Sequence, residues 1–309
     1  MGIKDPFVFL CSQRNLYEEI AINFSEALIS LAMEKFGNIG RIFYGLAIAA
    51  TGLQQFFFKE FFHIIFPPLP FQVPGLMYVA YPVAAFLVIA GIGIALFIRV
   101  KFFAYILACI FLFFFLFCYV PFEFFVSPYS PIHLGLWISP LKEFAYSGGA
   151  FAIACKLPND GMGNRPKTKF IGFLEKVAPY GRIMFAITMT SFGLSHFYYT
   201  KTVEDMVPEW IPSHLFWTYF AGIALMGAGI AIILNFRIQL IGNLLGIMIF
   251  IWFICLHIPG ALASPLTDNG NEVTSAFSAL AFSGIAFVIA NGAGTMRTAK
   301  LARLNIFSF

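Results

Sequence analysis

Residues 102–120, FFAYILACIFLFFFLFCYV, form an apolar stretch without a charged side chain. About 20 such residues in a helix cross the ~30 Å hydrocarbon core of a bilayer, because each residue advances the helix by about 1.5 Å. A water-soluble fold would have to bury the whole stretch behind polar surface. The stretch therefore indicates a transmembrane helix.

The composition of the whole chain points to the same class of protein. Of its 309 residues, 60% are hydrophobic and only 11% are charged, whereas a soluble domain carries roughly 25% charged residues. The net charge of +4 is too small and too scattered to indicate a nucleic-acid-binding surface. We therefore expect an integral membrane protein that contacts membrane lipids and has no nucleic-acid partner.

Seven further stretches resemble residues 102–120 in length and in apolar character. Together they predict about eight transmembrane helices, near residues 40–58, 76–98, 102–120, 138–155, 180–199, 216–235, 238–258 and 273–292. The fourth is the least apolar, because Lys142 and Glu143 lie near its start. The expected fold class is all-α, a polytopic membrane protein.

Positive charge is concentrated on one side of the predicted spans. If the N-terminus lies inside, all of the 19 lysines and arginines except Lys59, Lys142 and Lys201 fall in inner segments. Such an excess sets the orientation of a membrane protein by the positive-inside rule. The pattern predicts a multi-pass protein of the cytoplasmic (inner) membrane with both termini in the cytoplasm.

The two halves of the chain share a sequence pattern. EKFGNIGRI at residues 34–42 matches EKVAPYGRI at residues 175–183, and matches continue in the same order through four spans of each half. Because each copy has an even number of spans, both copies are expected to face the same way, as two tandem parallel four-helix bundles. The glycines paired in the second spans are Gly91 with Gly227 and Gly93 with Gly229, at an offset of 136.

This repeat divides the chain into five parts. Residues 1–33 place Ile20, Phe24 and Leu28 at helical spacing and predict an amphipathic cytoplasmic or interfacial segment. The other parts are a first four-helix unit at 34–156, a cytoplasmic linker at 157–174, a second four-helix unit at 175–292 and a basic cytoplasmic tail at 293–309.

The four-span unit resembles the DoxX and DoxX-like family of bacterial membrane proteins. The resemblance rests on Gly-Arg at the start of the first span, at 40–41 and 181–182, and on a glycine-rich second span followed by Arg99 or Arg237. A third span that ends near proline and Ser-Gly in the fourth span complete the pattern, which covers roughly residues 38–156 and 179–292. The resemblance implies a four-helix membrane bundle and, for some members, association with oxidoreductases, including a thiosulfate:quinone oxidoreductase subunit.

Two histidines inside the predicted spans are candidate ligand-binding residues. His196 lies about 21 Å from the inner boundary at Arg182, counted at about 1.5 Å per residue, and His257 ends the seventh span. Polar residues at such depth usually face the interior of a membrane protein. We expect a polar pocket near the outer leaflet in which His196 and His257 act as proton or hydrogen-bond partners. The alternative is that His196 bonds a neighbouring helix while His257 lies among lipid headgroups.

Three further residues complete the candidate cofactor-binding set. Gln55 is the repeat equivalent of His196, and Tyr119 is the repeat equivalent of His257. Glu143 lies near the start of the fourth span, and its repeat equivalent, Ala279, is not acidic. Ser147 and Ser283 are expected to be packing residues whose hydroxyls bond the carbonyl four residues earlier in the same helix.

The sequence contains no complete catalytic or metal-binding motif. Its five cysteines form no C-x-x-C pair, which disfavours a disulfide-generating enzyme. The histidines lack metal-ligand spacing, and haem bound by histidines of separate helices is not favoured. The cofactor therefore stays open, with a quinone or a lipid as the candidate.

Three functions are compatible with these observations. The first is a DoxX-like membrane subunit of a redox complex that binds a quinone or isoprenoid lipid near the outer leaflet. Since the chain shows no redox centre of its own, it would be an accessory subunit, and other membrane or periplasmic subunits would supply electrons. The alternatives are a carrier for a small solute or lipid and a non-catalytic assembly or scaffold subunit of a membrane complex.

Overall fold

The computed structural model describes the backbone of residues 6–58, 65–69, 75–129, 132–156 and 168–305. Side chains are described over these ranges except at residues 6–23, 26, 29, 30, 156, 268 and 293–305. Residues 157–167 of the predicted linker, residues 1–5, residues 306–309 and Lys59 therefore lie outside the described residues. The described ranges are mostly helical and contain no strand.

The described ranges contain twelve α-helices, to which two π-helical segments and short 3₁₀ turns are joined. The α-helices are α1 Pro6–Phe58, α2 Leu76–Ala95, α3 Val100–Phe113, α4 Val120–Phe125, α5 Ile138–Lys156, α6 Lys169–Val177, α7 Gly181–Tyr198, α8 Thr200–Asp205, α9 His214–Ile233, α10 Ile238–Trp252, α11 Ile258–Ala263 and α12 Asn271–Asn305. We refer to α1–α5 as the first half and to α7–α12 as the second half.

Five helical stretches of the described residues are long and apolar enough to cross a membrane. They are Leu76–Ala95, Val100–Phe125, His214–Ile233, Ile238–Ala263 and Asn271–Gly292. The predicted spans at 40–58 and 138–155 lie within α1 and α5, and the span at 180–199 extends one residue beyond α7 at each end. These three helices contain more polar side chains. Helix length and composition therefore support the membrane class, whereas the number of eight transmembrane helices stays a prediction.

Three of the predicted part boundaries fall inside helices. The boundary after residue 33 lies within α1, which continues for 53 residues. The boundary after residue 174 lies within α6, and the boundary after residue 292 lies within α12. No helix end marks these boundaries, and the division into parts stays a prediction.

The turns between α2 and α3 and between α9 and α10 have the same backbone geometry. Phe97 and Arg99 have φ angles of 61° and 44°, and Asn235 and Arg237 have φ angles of 58° and 40°. Positive φ is uncommon for residues with a side chain, so its recurrence at matching positions is informative. Both halves therefore make their second connection in the same way.

The close helix contacts correct one glycine pairing that the sequence comparison predicts. A Cβ built on Gly91 would lie 2.5 Å from the carbonyl oxygen of Gly45. A Cβ built on Gly229 would lie 2.6 Å from the carbonyl oxygen of Ala186, whereas one built on Gly227 would meet no atom within 4 Å. Gly229 is thus the structural counterpart of Gly91, because it is the glycine that permits the close approach. The predicted pairing of Gly91 with Gly227 is wrong by two residues.

Each half packs its first long helix against the last helix of the other half. A Cβ built on Gly40 in α1 would lie 2.6 Å from the carbonyl oxygen of Gly284 in α12. A Cβ built on Gly148 in α5 would lie 2.5 Å from the carbonyl oxygen of Gly181 in α7. Small residues let helix backbones approach this closely. We call these contacts the two glycine crossings.

Helices α5 and α12 contact each other in the interior of the molecule. The Tyr146 and Phe282 rings are 5.7 Å apart between centroids, and the Tyr146 hydroxyl donates to Ser278 Oγ at 2.9 Å. The Tyr44 hydroxyl in turn donates to the Tyr146 carbonyl oxygen at 2.9 Å. These hydrogen bonds satisfy buried hydroxyls and connect α1, α5 and α12.

Two serines connect the last helix of each half to the third long helix of the same half. The Ser147 hydroxyl donates to the Ala108 carbonyl oxygen at 2.8 Å, and the Ser283 hydroxyl donates to the Gly246 carbonyl oxygen at 2.9 Å. The predicted bonds within their own helices are wrong. Both serines are fully buried at a helix contact, where the carbonyl of the neighbouring helix is within reach.

Candidate functional site

A cavity of about 480 Å³ lies between α5, α7, α9, α10 and α12. We call it the second-half cavity. Most of its wall is apolar, with Phe192 and Phe282 among the largest side chains. Polar groups also line it, namely Lys142, Ser195, His196, Tyr199, Thr202, His257, Ser275 and Ser278. An apolar cavity with a few converging polar groups is the usual form of a small-molecule site.

A π-helical segment positions His257 at this cavity. The segment runs from Phe253 to His257 between α10 and α11, and Pro259 follows it. Proline has no N–H, and its ring crowds the carbonyl of the residue four positions earlier, so a wider turn accommodates it. Such π segments occur frequently at functional sites. The first half has the same arrangement, with a π segment that ends at Tyr119 before Pro121.

His257 and Lys142 lie close together at the cavity. Both are partly buried and both line the wall. The Lys142 ammonium acts electrostatically on the His257 ring, and the Glu272 carboxylate acts on Lys142. Within the described part of the chain, His257 Nδ1 has no hydrogen-bond partner. This end of the cavity can therefore offer two hydrogen-bonding groups to a ligand.

His196 also lines the second-half cavity. Its Nδ1 lies 2.7 Å from the carbonyl oxygen of Phe192, one turn earlier in α7. Since a carbonyl oxygen can only accept, we assign the proton to Nδ1, which leaves Nε2 as the acceptor of the neutral ring. This contact is within α7 and not to a neighbouring helix, which differs from the alternative expected for His196.

The remaining predicted site residues lie outside the second-half cavity. Gln55 is buried in the first half and donates from Nε2 to the Ala80 carbonyl oxygen at 2.7 Å. Tyr119 lines a different cavity of about 430 Å³, together with Glu123. Glu143 is fully buried in α5. The structure thus brings His196 and His257 together and places Gln55, Tyr119 and Glu143 elsewhere.

Tyr119, Glu123 and Glu143 form what we call the first-half acid cluster. Both carboxylates act electrostatically on the Tyr119 hydroxyl. Among the described residues, neither oxygen of Glu143 has a hydrogen-bond partner, nor do Glu123 Oε2 and the Tyr119 hydroxyl. Unpartnered buried acids are costly and mark functional positions in membrane proteins. The described side chains contain no group of three or more metal-ligating residues placed to bind a metal ion.

The most important cavity residue that the sequence comparison missed is Lys142. A lysine inside an apolar stretch is itself a signal, and its repeat equivalent Ser278 also lines the cavity. The neighbouring Glu143 belongs to the first half instead. Successive helix residues point about 100° apart, since an α-helix has 3.6 residues per turn. Helix α5 can therefore present one residue to each half.

The comparisons with known proteins match part of the second half. A family model described as "Domain of unknown function (DUF8561)" matches residues 185–282. No curated protein and no solved structure matches the chain. The matched segment covers about a third of the chain and includes His196, His257 and most of the cavity wall.

Proposed function

We propose that this chain is a membrane-embedded subunit that binds an amphipathic molecule of the quinone or isoprenoid class in the second-half cavity. The observation that carries the proposal is the position of Lys142 and His257 on the wall of an otherwise apolar cavity. A quinone carbonyl oxygen accepts hydrogen bonds from an ammonium or an imidazole N–H. Its ring and first isoprene units would pack against Phe192 and Phe282.

The proposal places this subunit in the inner membrane. It has eight spans in two tandem units of the DoxX-like type, both termini lie in the cytoplasm, and the cavity lies near the outer leaflet. The matching turns, π segments and glycine crossings of the two halves support the duplication. In this arrangement a partner subunit supplies electrons, and the present chain holds the quinone.

Tryptophan fluorescence can test quinone binding directly. Trp217 and Trp252 line the cavity, whereas Trp137 does not. A variant that retains Trp252 as its single tryptophan, reconstituted in lipid nanodiscs, is titrated with a short-tailed ubiquinone analogue. We expect saturable quenching of Trp252 and weak, non-saturating quenching in the matched variant that retains Trp137. Equal, non-saturating quenching in both variants would refute the proposed site.

Lys142→Met is expected to weaken quinone binding about tenfold, which corresponds to the loss of one hydrogen bond from a charged donor. The single-tryptophan titration measures this change. Lys101→Met is the control, because Lys101 forms a salt bridge with Glu175 at 3.6 Å and does not line the cavity. Unchanged affinity in Lys142→Met would show that the ammonium does not contact the head group.

A carrier for an anionic amphiphile is the second candidate. It is favoured by one observation, the position of the Lys142 ammonium in the wall of an otherwise apolar cavity. A fatty-acid carboxylate would pair with this ammonium more strongly than a neutral quinone does. Proteoliposome uptake of a labelled fatty acid, compared between the native chain and Lys142→Met, distinguishes the carrier from the quinone-binding subunit.

A further inference from the structure

We infer that the second-half cavity continues into a groove on the outer face of α9 and α10, and that this groove holds the hydrocarbon tail of the molecule whose head group lies in the cavity. This inference rests on the proposed function and narrows the class of ligand. The ligand would have one compact polar head and a long apolar tail.

The groove has a volume of about 870 Å³ and an almost entirely apolar wall. It shares Trp217, Met248 and Trp252 with the second-half cavity. The two tryptophan rings are 5.7 Å apart between centroids and nearly perpendicular, at 81°. These shared side chains lie where the two spaces meet, and the proposed tail passes between them.

The groove has the length and the surroundings that a hydrocarbon tail requires. Along α10 it extends from Ile241 to Ile251, a rise of about 15 Å at about 1.5 Å per residue. Ile223, Leu244 and Ile251 in its wall are more than half exposed, as is expected of residues that face lipid. A tail in this groove would lie along the helices within the membrane.

Small residues of α9 open the groove. A Cβ built on Gly227 would meet no atom within 4 Å, and Ala224 lies one turn earlier in the same wall. When Gly229 is aligned with Gly91, Ala224 corresponds to Phe86 of α2 and Gly227 corresponds to Ile89. Both residues of α2 have larger side chains. The space beside α9 therefore has no equivalent beside α2 in the first half.

Gly227→Ile tests the inference, because it places in the groove the side chain that the first half carries. The binding of a short-tailed and a long-tailed quinone with the same head group is measured by Trp252 quenching, after correction for partition into the nanodisc lipid. The native chain is expected to bind the long-tailed quinone at least about tenfold more tightly, since each buried methylene adds affinity. Gly227→Ile is expected to abolish this preference and to leave short-tail affinity unchanged.

Gly172→Ile is the matched control, because its added Cβ also meets no atom within 4 Å and it lies in α6, away from the groove. It should retain the tail preference. If Gly227→Ile retains the preference as well, or if the native chain binds both quinones equally, the groove does not hold the tail, although the proposed function stands. If neither quinone shows saturable binding to the native chain, the proposed function itself fails.

Discussion

Gly181→Val is expected to lower the free energy of unfolding by about 3 kcal/mol, the upper part of the usual range for overpacked sites. A Cβ at this position would lie 2.7 Å from Phe151 Cβ and would also collide with the carbonyl oxygen of Gly148. A backbone oxygen cannot move aside unless α5 and α7 separate. Equilibrium unfolding in mixed detergent micelles measures the loss.

Gly227→Val provides the control for this experiment. The added Cβ meets no atom within 4 Å, so a change within about 0.5 kcal/mol is expected. Gly40→Val should behave like Gly181→Val, because its Cβ would lie 2.6 Å from the Gly284 carbonyl oxygen. Equal stability of Gly181→Val and Gly227→Val would mean that the α5–α7 crossing is not formed as described.

Glu143→Leu is expected to raise the free energy of unfolding by about 2 kcal/mol, because a buried polar group without a hydrogen-bond partner costs about 1–3 kcal/mol and leucine has no such group. The Glu143 carboxylate is fully buried, and both its oxygens lack a partner among the described residues. Leucine is similar in size to glutamate and removes both unpartnered oxygens. Thermal unfolding of the two proteins in the same detergent measures the gain.

Glu175→Leu is the control for this substitution. Glu175 is partly exposed and pairs with Lys101 at 3.6 Å, so its replacement is expected to cost at most about 1 kcal/mol. A clear loss of stability in Glu143→Leu would indicate that the carboxyl group stabilises the first-half acid cluster. The two substitutions therefore separate a costly buried acid from an ordinary ion pair.

The sequence was sufficient to predict the helical membrane class and the positions of most long helices. Helices α2 and α9 begin and end close to the predicted spans at 76–98 and 216–235. This agreement has a simple cause, because the length of an apolar run is set by the bilayer that it must cross. The repeat also identified Tyr119 and His257 as equivalent, and both end a π segment.

The contacts between helices could not be predicted from the same patterns. The first helix of a four-helix unit could pack within its own half or against the other half. Both arrangements have the same apolar periodicity in the sequence. Likewise, the similarity of Gly91-x-Gly93 to Gly227-x-Gly229 does not reveal which glycine touches a neighbouring backbone. Such choices depend on the rotation and pairing of whole helices, which a single sequence does not specify.

In the candidate site, too, some residues could be predicted from the sequence and others could not. His196 and His257 were recognisable because each is a polar residue in an apolar span. Lys142 was grouped with the outer charges, although it lines the cavity. Its distance along the chain from His257 is large, so their proximity depends on the packing of α5 against the second half.

The contact between α1 and α12 also governs the order in which the protein can assemble. Gly40 in α1 is synthesised long before its partner Gly284 in α12, because helices α2 to α11 lie between them in the chain. Contacts between distant parts of a chain form slowly, and exposed intermediates are the species that misassemble. The nascent α1 must therefore remain in the lipid, or with an insertion chaperone, until α12 has been synthesised.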